Sequence, residues 1–469
     1  MPTNDENIAI LKDRNGNEVA LKGVKVHGRL HGLMAEVEVE QSYVNPQDIN
    51  IEAIYTFPLP LGSTLLGLEV EIAGKKLAGS VVEKKKSERQ YEDAITDGNS
   101  AIMLEEAGPG LYTVSVGNLM AGEAAVIRYR YAMLLSWQGS LLRFLLPTTI
   151  APRYGNAEAA GMRPHQIPSS SLSVDYPLEI KIDVEGDLAN SLFASPSHPI
   201  AMDRGENGIA VHIAGKAFLD RDFILTLQSD NAQSSCALTP DGEKHVALAS
   251  LRIPQISGDA NKPLSLKVVI DCSGSMAGTS IIQARKAALE ILNLLQPQDS
   301  FNVTLFGNDH KHLFKKLMPA IAKNVTTAWN RLDRLEADMG GKEMEAAIEA
   351  AFSLGSETEG EATLLLITDG EIHEHEKLLL RAKNSGHRIF TVGVGNAVAE
   401  TFLKSLSKVT DGACELVAPQ EGMTERVLMQ FHRMRQPILS KLKIEWPSKP
   451  AWETDLPKTV FAGDTVHVF

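Results

Sequence analysis

Cysteine is scarce in this chain: 469 residues hold three, Cys236, Cys272 and Cys414. They are scattered, odd in number and without metal-knuckle spacing, so they make no disulfide framework, and a reducing, cytoplasmic setting is expected. Positive charge is short as well. With 46 Lys and Arg against 59 Asp and Glu the formal net charge is −13, and a chain without a basic stripe is not expected to bind nucleic acid. No window approaches the roughly 18 uninterrupted apolar residues of a membrane-spanning helix. The first residues, MPTNDENIAILKDRNG, lack the charged-then-apolar order of a secretory signal. Internal repeats and low-complexity segments are absent too.

What is present is ordinary for a globular protein, 43% hydrophobic and 22% charged residues. At this length one compact core is excluded, and about two to four domains are expected. Residues 20–150 read as β-rich. In 35–40, AEVEVE, apolar and acidic residues alternate strictly, the mark of a strand with one wet face. Leu68, Val70 and Ile72 alternate before the turn at Gly74, and Leu77 and Val81 resume the pattern, which spaces a hairpin. Ile127, Tyr129 and Tyr131 alternate with Arg128 and Arg130. The charged stretch 83–95 is helical in character, and its Lys84-Lys85-Lys86 run reads as a solvated face. A second β-rich stretch covers 165–255, with Leu178, Ile180 and Ile182 in one strand and Phe223, Leu225 and Leu227 in another.

From residue 264 the rhythm changes to strand, helix, strand, helix. Strands are expected at 264–270, 302–306, 363–368, 388–394 and 414–417, and helices at 280–295, 325–335, 342–354, 377–385, 399–409 and 422–435. Such alternation implies right-handed crossovers and a doubly wound, mostly parallel sheet covered on both faces. The last residues turn β-like again at 441–446 and 465–469, and the natural protein is expected to continue past them.

Three loops of this α/β unit gather oxygen ligands. Asp271, Ser273 and Ser275 follow the first buried strand. Asp338-Met339-Gly340-Gly341-Lys342 precedes a helix, and Thr368-Asp369-Gly370-Glu371 follows another apolar strand. Open α/β sheets place their ligands at the carboxyl ends of their strands. Oxygen-only donors suit a hard divalent cation, above all Mg²⁺, with Mn²⁺ or Ca²⁺ as alternatives. Read locally, the same residues also make a tight Asp/Ser/Gly turn capping a helix.

Taken together, the loops of 264–420 resemble the von Willebrand factor type A domain and its metal-ion-dependent adhesion site. The resemblance implies that Ser273 and Ser275 ligate the cation through their hydroxyls, while Asp271 and Asp369 act mainly through bound waters. One coordination position then stays open for an acidic residue of a protein partner. The chain departs from the family at Lys342, which stands where the family places Thr. An ammonium cannot ligate a metal while protonated. Lys342 therefore either turns to solvent, leaving a weaker site, or lies near Asp271 or Asp369 and partly replaces the cation.

Residues 1–155 resemble a second family, the vault protein inter-alpha-trypsin (VIT) domain. The likeness rests on IEAIYTFPLP at 51–60, Glu83-Lys84 with Tyr91-Glu92, Val116-Gly117-Asn118, Gly122-Glu123, and a PT…APRY ending at Tyr154. Sharing one chain, the two modules resemble the inter-alpha-trypsin inhibitor heavy chains and their intracellular and bacterial relatives. That arrangement implies a multidomain protein in which the flanks 165–255 and 436–469 pair into one hybrid-like β-sandwich. It also implies a non-enzymatic, adhesion-type protein that binds a partner.

Two alternatives differ in class. A phosphatase-like Mg-dependent hydrolase would use Asp271 as nucleophile, but such enzymes need a second Asp two residues on, where this chain has Ser273. Intracellular type A proteins also serve as assembly subunits beside AAA+ ATPases. Gly340-Gly341-Lys342 lacks the spacing and hydroxyl of a P-loop. His373 and His375 read as a solvated loop entering a helix, and His310 and His312, split by Lys311, lack a further ligand. Cys272 reads as a buried small residue, and Asn324-Val325-Thr326 as a sequon that matters only in a secreted protein.

Overall fold

The computed structural model describes residues 11–13, 20–45, 47–72, 74–78, 93–94, 96–97, 101–108, 111–147, 177–218, 221–254, 262–341, 343–355, 362–369, 375–395, 400–418, 421–436, 439 and 442–469. The alternating 35–40 motif lies in the strand Met34–Val44, with Ala35, Val37 and Val39 buried and the glutamates outward. This strand pairs antiparallel with Ala20–His31 on one side and Ala124–Leu134 on the other. Thr64–Ile72 and Lys75–Ala78 extend the sheet as the expected hairpin. The Lys84–Lys86 run lies outside the described residues.

Pairing divides the stretch expected at 165–255. Leu178–Glu185 runs parallel to Ala20–His31, in register from Leu178 against Val24 to Glu185 against His31. With Gly208–Ile213 and Ile200–Arg204 it completes an eight-stranded sheet. Phe223–Gln228 pairs with Leu141–Leu146 in a further sheet, and the side chains of these layers share one apolar core that includes Phe57, Tyr131, Phe144 and Phe223. Lys244–Arg252 pairs with Ser235–Asp241 on one side and with the C-terminal strand Thr465–Val468 on the other, in a three-stranded sheet. Of the two flanks expected to pair, at 165–255 and 436–469, the strands Lys244–Arg252 and Thr465–Val468 are neighbours, while Leu178–Glu185 joins the eight-stranded sheet. Alternation reports which side of a strand is buried, not which distant strand it pairs with. The 441–446 pattern is corrected for the same reason. Residues 442–446 form no strand, yet Leu442, Ile444 and Trp446 still pack against Ile253, Val460, Val466 and Val468.

The α/β unit follows the sequence rhythm closely. Its sheet runs in the order His310–His312, Ser300–Phe306, Ser265–Asp271, Ala362–Thr368, His387–Val394 and Cys414–Val417. Neighbours in that order are parallel except the antiparallel edge strand His310–His312, and a short seventh strand, Met318–Pro319, also pairs antiparallel with Ser300–Phe306. Helices Thr279–Leu294, Ala322–Leu332 and Met423–Arg435 bury their apolar sides on one face, and Met344–Ser353, His375–Asn384 and Glu400–Val409 on the other. Burial on both faces explains why the central strands are continuous apolar runs.

Polar bonds tie this unit to the β-rich one. Arg143, on strand Leu141–Leu146, makes a two-pronged bond to Glu421 at 3.1 and 3.0 Å. Two further bonds tie the three-stranded sheet to the same β-rich unit: Arg252 donates to Gly139 O at 2.9 Å, and the Trp137 N–H donates to Thr465 Oγ1 at 3.0 Å.

Candidate metal-binding site

Strand Ser265–Asp271 delivers Asp271 to the carboxyl end of the sheet, where the carboxylate is completely buried. Burying a charge is costly unless hydrogen bonds replace its water. The Ser273 N–H donates to Asp271 Oδ1 at 2.9 Å, and Thr368 Oγ1 donates to Oδ2 at 2.7 Å. Ser273 Oγ then lies 3.1 Å from Ser275 Oγ, Ser273 buried and Ser275 exposed. After a single turn at Gly274–Met276, Gly278 at φ 86° redirects the chain into helix Thr279–Leu294.

The second loop packs directly onto the first. The Met339 N–H donates to Cys272 O at 3.0 Å, and the Gly274 N–H to Gly340 O at 2.9 Å. Gly340 sits at φ 78°, where a Cβ would come within 2.3 Å of Asn308 Nδ2, so the glycine doublet serves close approach as well as backbone conformation. Asn308 Oδ1 in turn accepts from the Gly341 N–H at 2.7 Å. The third loop places Asp369 at the end of strand Ala362–Thr368, half-buried beside Gly395.

The structure thus brings Asp271, Ser273 and Ser275 into one loop, with the strand ending in Thr368 and Asp369 hydrogen-bonded to it. Lys342, Gly370, Glu371 and His373 lie outside the described residues. Two residues that sequence reasoning left without a role complete the arrangement. Thr368 anchors Asp271, and its signal was a hydroxyl directly ahead of Asp369 at the end of an apolar strand. Asn308 had no local signal, because its partner is Gly341, 33 positions away.

The donor chemistry fits a hard cation. Two hydroxyl oxygens lie side by side, backed by a pinned carboxylate and a more accessible one. Among the described residues no three His, Cys, Asp or Glu side chains form a metal cage, so a cation here would depend on hydroxyls and water. That is the habit of Mg²⁺, which retains several waters. The other candidates do not converge. Cys272 is 1% exposed, and burial, with the charges of Asp271 and Asp338, pushes its thiol up to about 12, far from thiolate chemistry. His312 bonds Thr304 Oγ1 at 2.9 Å, and Asn324 turns a buried side chain to Pro319 O at 2.9 Å.

The vault protein inter-alpha-trypsin domain pattern matches residues 21–131, and the von Willebrand factor type A domain pattern matches 266–423. The chain is 27% identical to the mouse protein mono-ADP-ribosyltransferase PARP4, over 98% of this chain and 24% of that protein. It is 24% identical to rat von Willebrand factor A domain-containing protein 5A, over 97% of this chain and 60% of that protein. The chain therefore spans a quarter to three fifths of the length of these relatives. A von Willebrand factor type A structure from Catenulispora acidiphila superposes with a TM-score of 0.35 at 20% identity, over 44% of this chain and 51% of that one.

Proposed function

For a chain that joins a vault protein inter-alpha-trypsin domain to a von Willebrand factor type A domain, we propose metal-dependent recognition of a protein partner at the carboxyl end of the α/β sheet. Type A domains are typically protein-interaction modules, and the finer reading concerns how this one binds. Ser273 and Ser275 would hold a divalent cation, Mg²⁺ first and Mn²⁺ or Ca²⁺ as alternatives, with Asp271 and Asp369 contributing through water. When bound, the cation supplies positive charge that a carboxylate of the partner completes. The observation that carries this reading is Asp271. It is fully buried and held by Thr368 and Ser273, directly behind two hydroxyls 3.1 Å apart.

The reading is non-enzymatic, because Ser273 occupies the place where an aspartyl-phosphate phosphatase needs its acid–base group. It is also cytoplasmic, in keeping with Cys236, Cys272 and Cys414 all standing as free thiols. Calorimetric titration with Mg²⁺ and Mn²⁺ tests the site: heat is expected from the parent and none from Asp271→Ala, and equal heats would overturn it. Turnover of a generic phosphate ester, abolished in Asp271→Asn, would overturn the non-enzymatic reading instead.

A further inference from the structure

The edge of the α/β sheet carries a second feature that the metal loops do not use. Between strands Ser300–Phe306 and His310–His312 and the end of helix Ala322–Leu332 lies a cleft of about 300 Å³. Its floor is aliphatic, from Val303, Leu305, Leu313 and Leu332, and its charged lining residues are Lys311 and Arg331. No carboxylate lines it, and among the described residues neither Lys311 nor Arg331 forms an ion pair. Two unpaired cations over an apolar floor are unexpected in a chain of net charge −13. The surroundings share the sign. Residues 309–336 hold Lys311, Lys315, Lys316, Lys323, Arg331 and Arg334 against Asp309, Asp333 and Glu336. Asp309 lies 3.9 Å from His310. His312 is pushed down, first by burial and then by His310 and Lys267.

We propose that this cleft docks an acidic segment of a partner protein through one aliphatic anchor residue flanked by carboxylates. The anchor fills the floor formed by Val303, Leu305, Leu313 and Leu332. The flanking carboxylates meet Lys311 and Arg331, the latter able to bind one with two parallel N–H groups. Charge complementarity chooses this occupant: a basic segment would be repelled, and a neutral apolar one would leave both cations unmatched. The docking does not depend on a cation at the loops of Asp271, so the two sites fail or succeed separately.

Fluorescence anisotropy on the whole chain tests this, using a labelled decapeptide of aspartates and glutamates with one central leucine, in EDTA. Saturable binding that weakens with added salt is expected, and EDTA should not abolish it. Replacing the central leucine by serine should weaken binding about tenfold, the worth of one buried aliphatic side chain. Lys311→Glu with Arg331→Glu should weaken it at least about tenfold, while Lys458→Glu, outside the cleft, should not. The leucine-to-serine peptide arm needs no protein variant and keeps the test decisive if the double variant misfolds. Failure of the parent to bind, equal loss with Lys458→Glu, or indifference to the central leucine would each overturn the proposal. So would octanoate binding that depends on Lys311 and Arg331 while the peptide fails to bind, since the cleft would then serve a small amphiphile.

Discussion

Asp271 meets two protein donors before any cation is considered, and this makes Thr368 testable. Thr368→Val keeps the shape of the side chain and removes its 2.7 Å bond to the carboxylate. A hydrogen bond to a charged group contributes about 1.5–3 kcal/mol, so the variant should melt at lower temperature by calorimetry and also bind Mg²⁺ more weakly. Lys342→Thr should act in the opposite direction on the metal. By removing an ammonium and adding a hydroxyl, it should tighten Mg²⁺ binding about tenfold, or about 1.4 kcal/mol, and an unchanged titration would show that Lys342 stays clear of the loops. At the other end of the same strand, Lys267 is 2% exposed and donates to His387 Nε2 at 2.8 Å and to Phe352 O at 3.1 Å. The second bond places its charge at the C-terminus of helix Met344–Ser353, where the helix dipole favours a cation. Burial, and then Lys267, push His387 down to about 4 from an ordinary 6.5. In the window between those values the unfolded chain holds the proton and the folded one does not. The stabilisation is therefore complete above about pH 6.5 and is lost as pH falls towards 4. Denaturant titrations across that window should show a loss of about 1–2 kcal/mol after allowance for solvent screening, and His387→Gln should flatten it. Asp271, Ser273, Ser275 and Asp369 were legible in the sequence as motif positions. Thr368, Asn308 and the Lys267–His387 contact were not, because each depends on a partner between 33 and 120 positions away.

Among the elements, helix Met423–Arg435 is tied through three of its arginines. Arg426 bonds Glu415 at 2.9 Å and Glu421 at 3.1 Å, Arg433 bonds Asp464 at 2.6 Å, and Arg435 bonds Asp299. Glu415 and Glu421 are 3% and 5% exposed, so these are buried ion pairs. Burial pushes the Glu415 and Asp464 carboxyls up despite the arginines beside them. At Glu421 burial is opposed and outweighed by Arg143 and Arg426, so that carboxyl is pulled down. Removing one member of such a network leaves a buried charge without its partner, at a cost of about 3–5 kcal/mol. Arg426→Ala should show that loss in equilibrium unfolding, while Arg426→Met with Glu415→Leu should recover much of it. A double variant as unstable as the single would mean that the loss comes from packing rather than charge. The helix itself was legible from the apolar spacing of Met423, Val427, Phe431 and Met434, all buried. Its charged partners were invisible, since Glu and Arg on a helix ordinarily read as a wet face.

Over the whole molecule, the β-rich unit meets the α/β unit through Arg143–Glu421, and it meets the three-stranded sheet through the Arg252 bond to Gly139 O and through His467, whose ring lies 2.9 Å from Ser250 Oγ and 3.1 Å from Ser136 Oγ. Arg143–Glu421 joins the two units by two charge-assisted bonds, so they should unfold as one transition. Arg143→Ala should divide the calorimetric peak in two, with a destabilisation of about 3–5 kcal/mol for a buried carboxylate that loses one of its two arginine partners, and a single unshifted peak would show that the junction is not a coupling element. By itself the amino-acid order determined the alternation of strands in the first half, the strand–helix rhythm of the second and the three oxygen-bearing loops. Each of these is written within a few residues, as a side-chain period or a turn motif. Tertiary structure alone decided that Leu178–Glu185 lies parallel to Ala20–His31, that Lys244–Arg252 takes Thr465–Val468 as its neighbour, and that Arg143 reaches Glu421. Those choices depend on contacts between residues about 150 to 280 positions apart in the register and hydrogen bonds just cited. Chain order carries no periodic trace of such contacts, because they are selected only when competing surfaces are packed against one another.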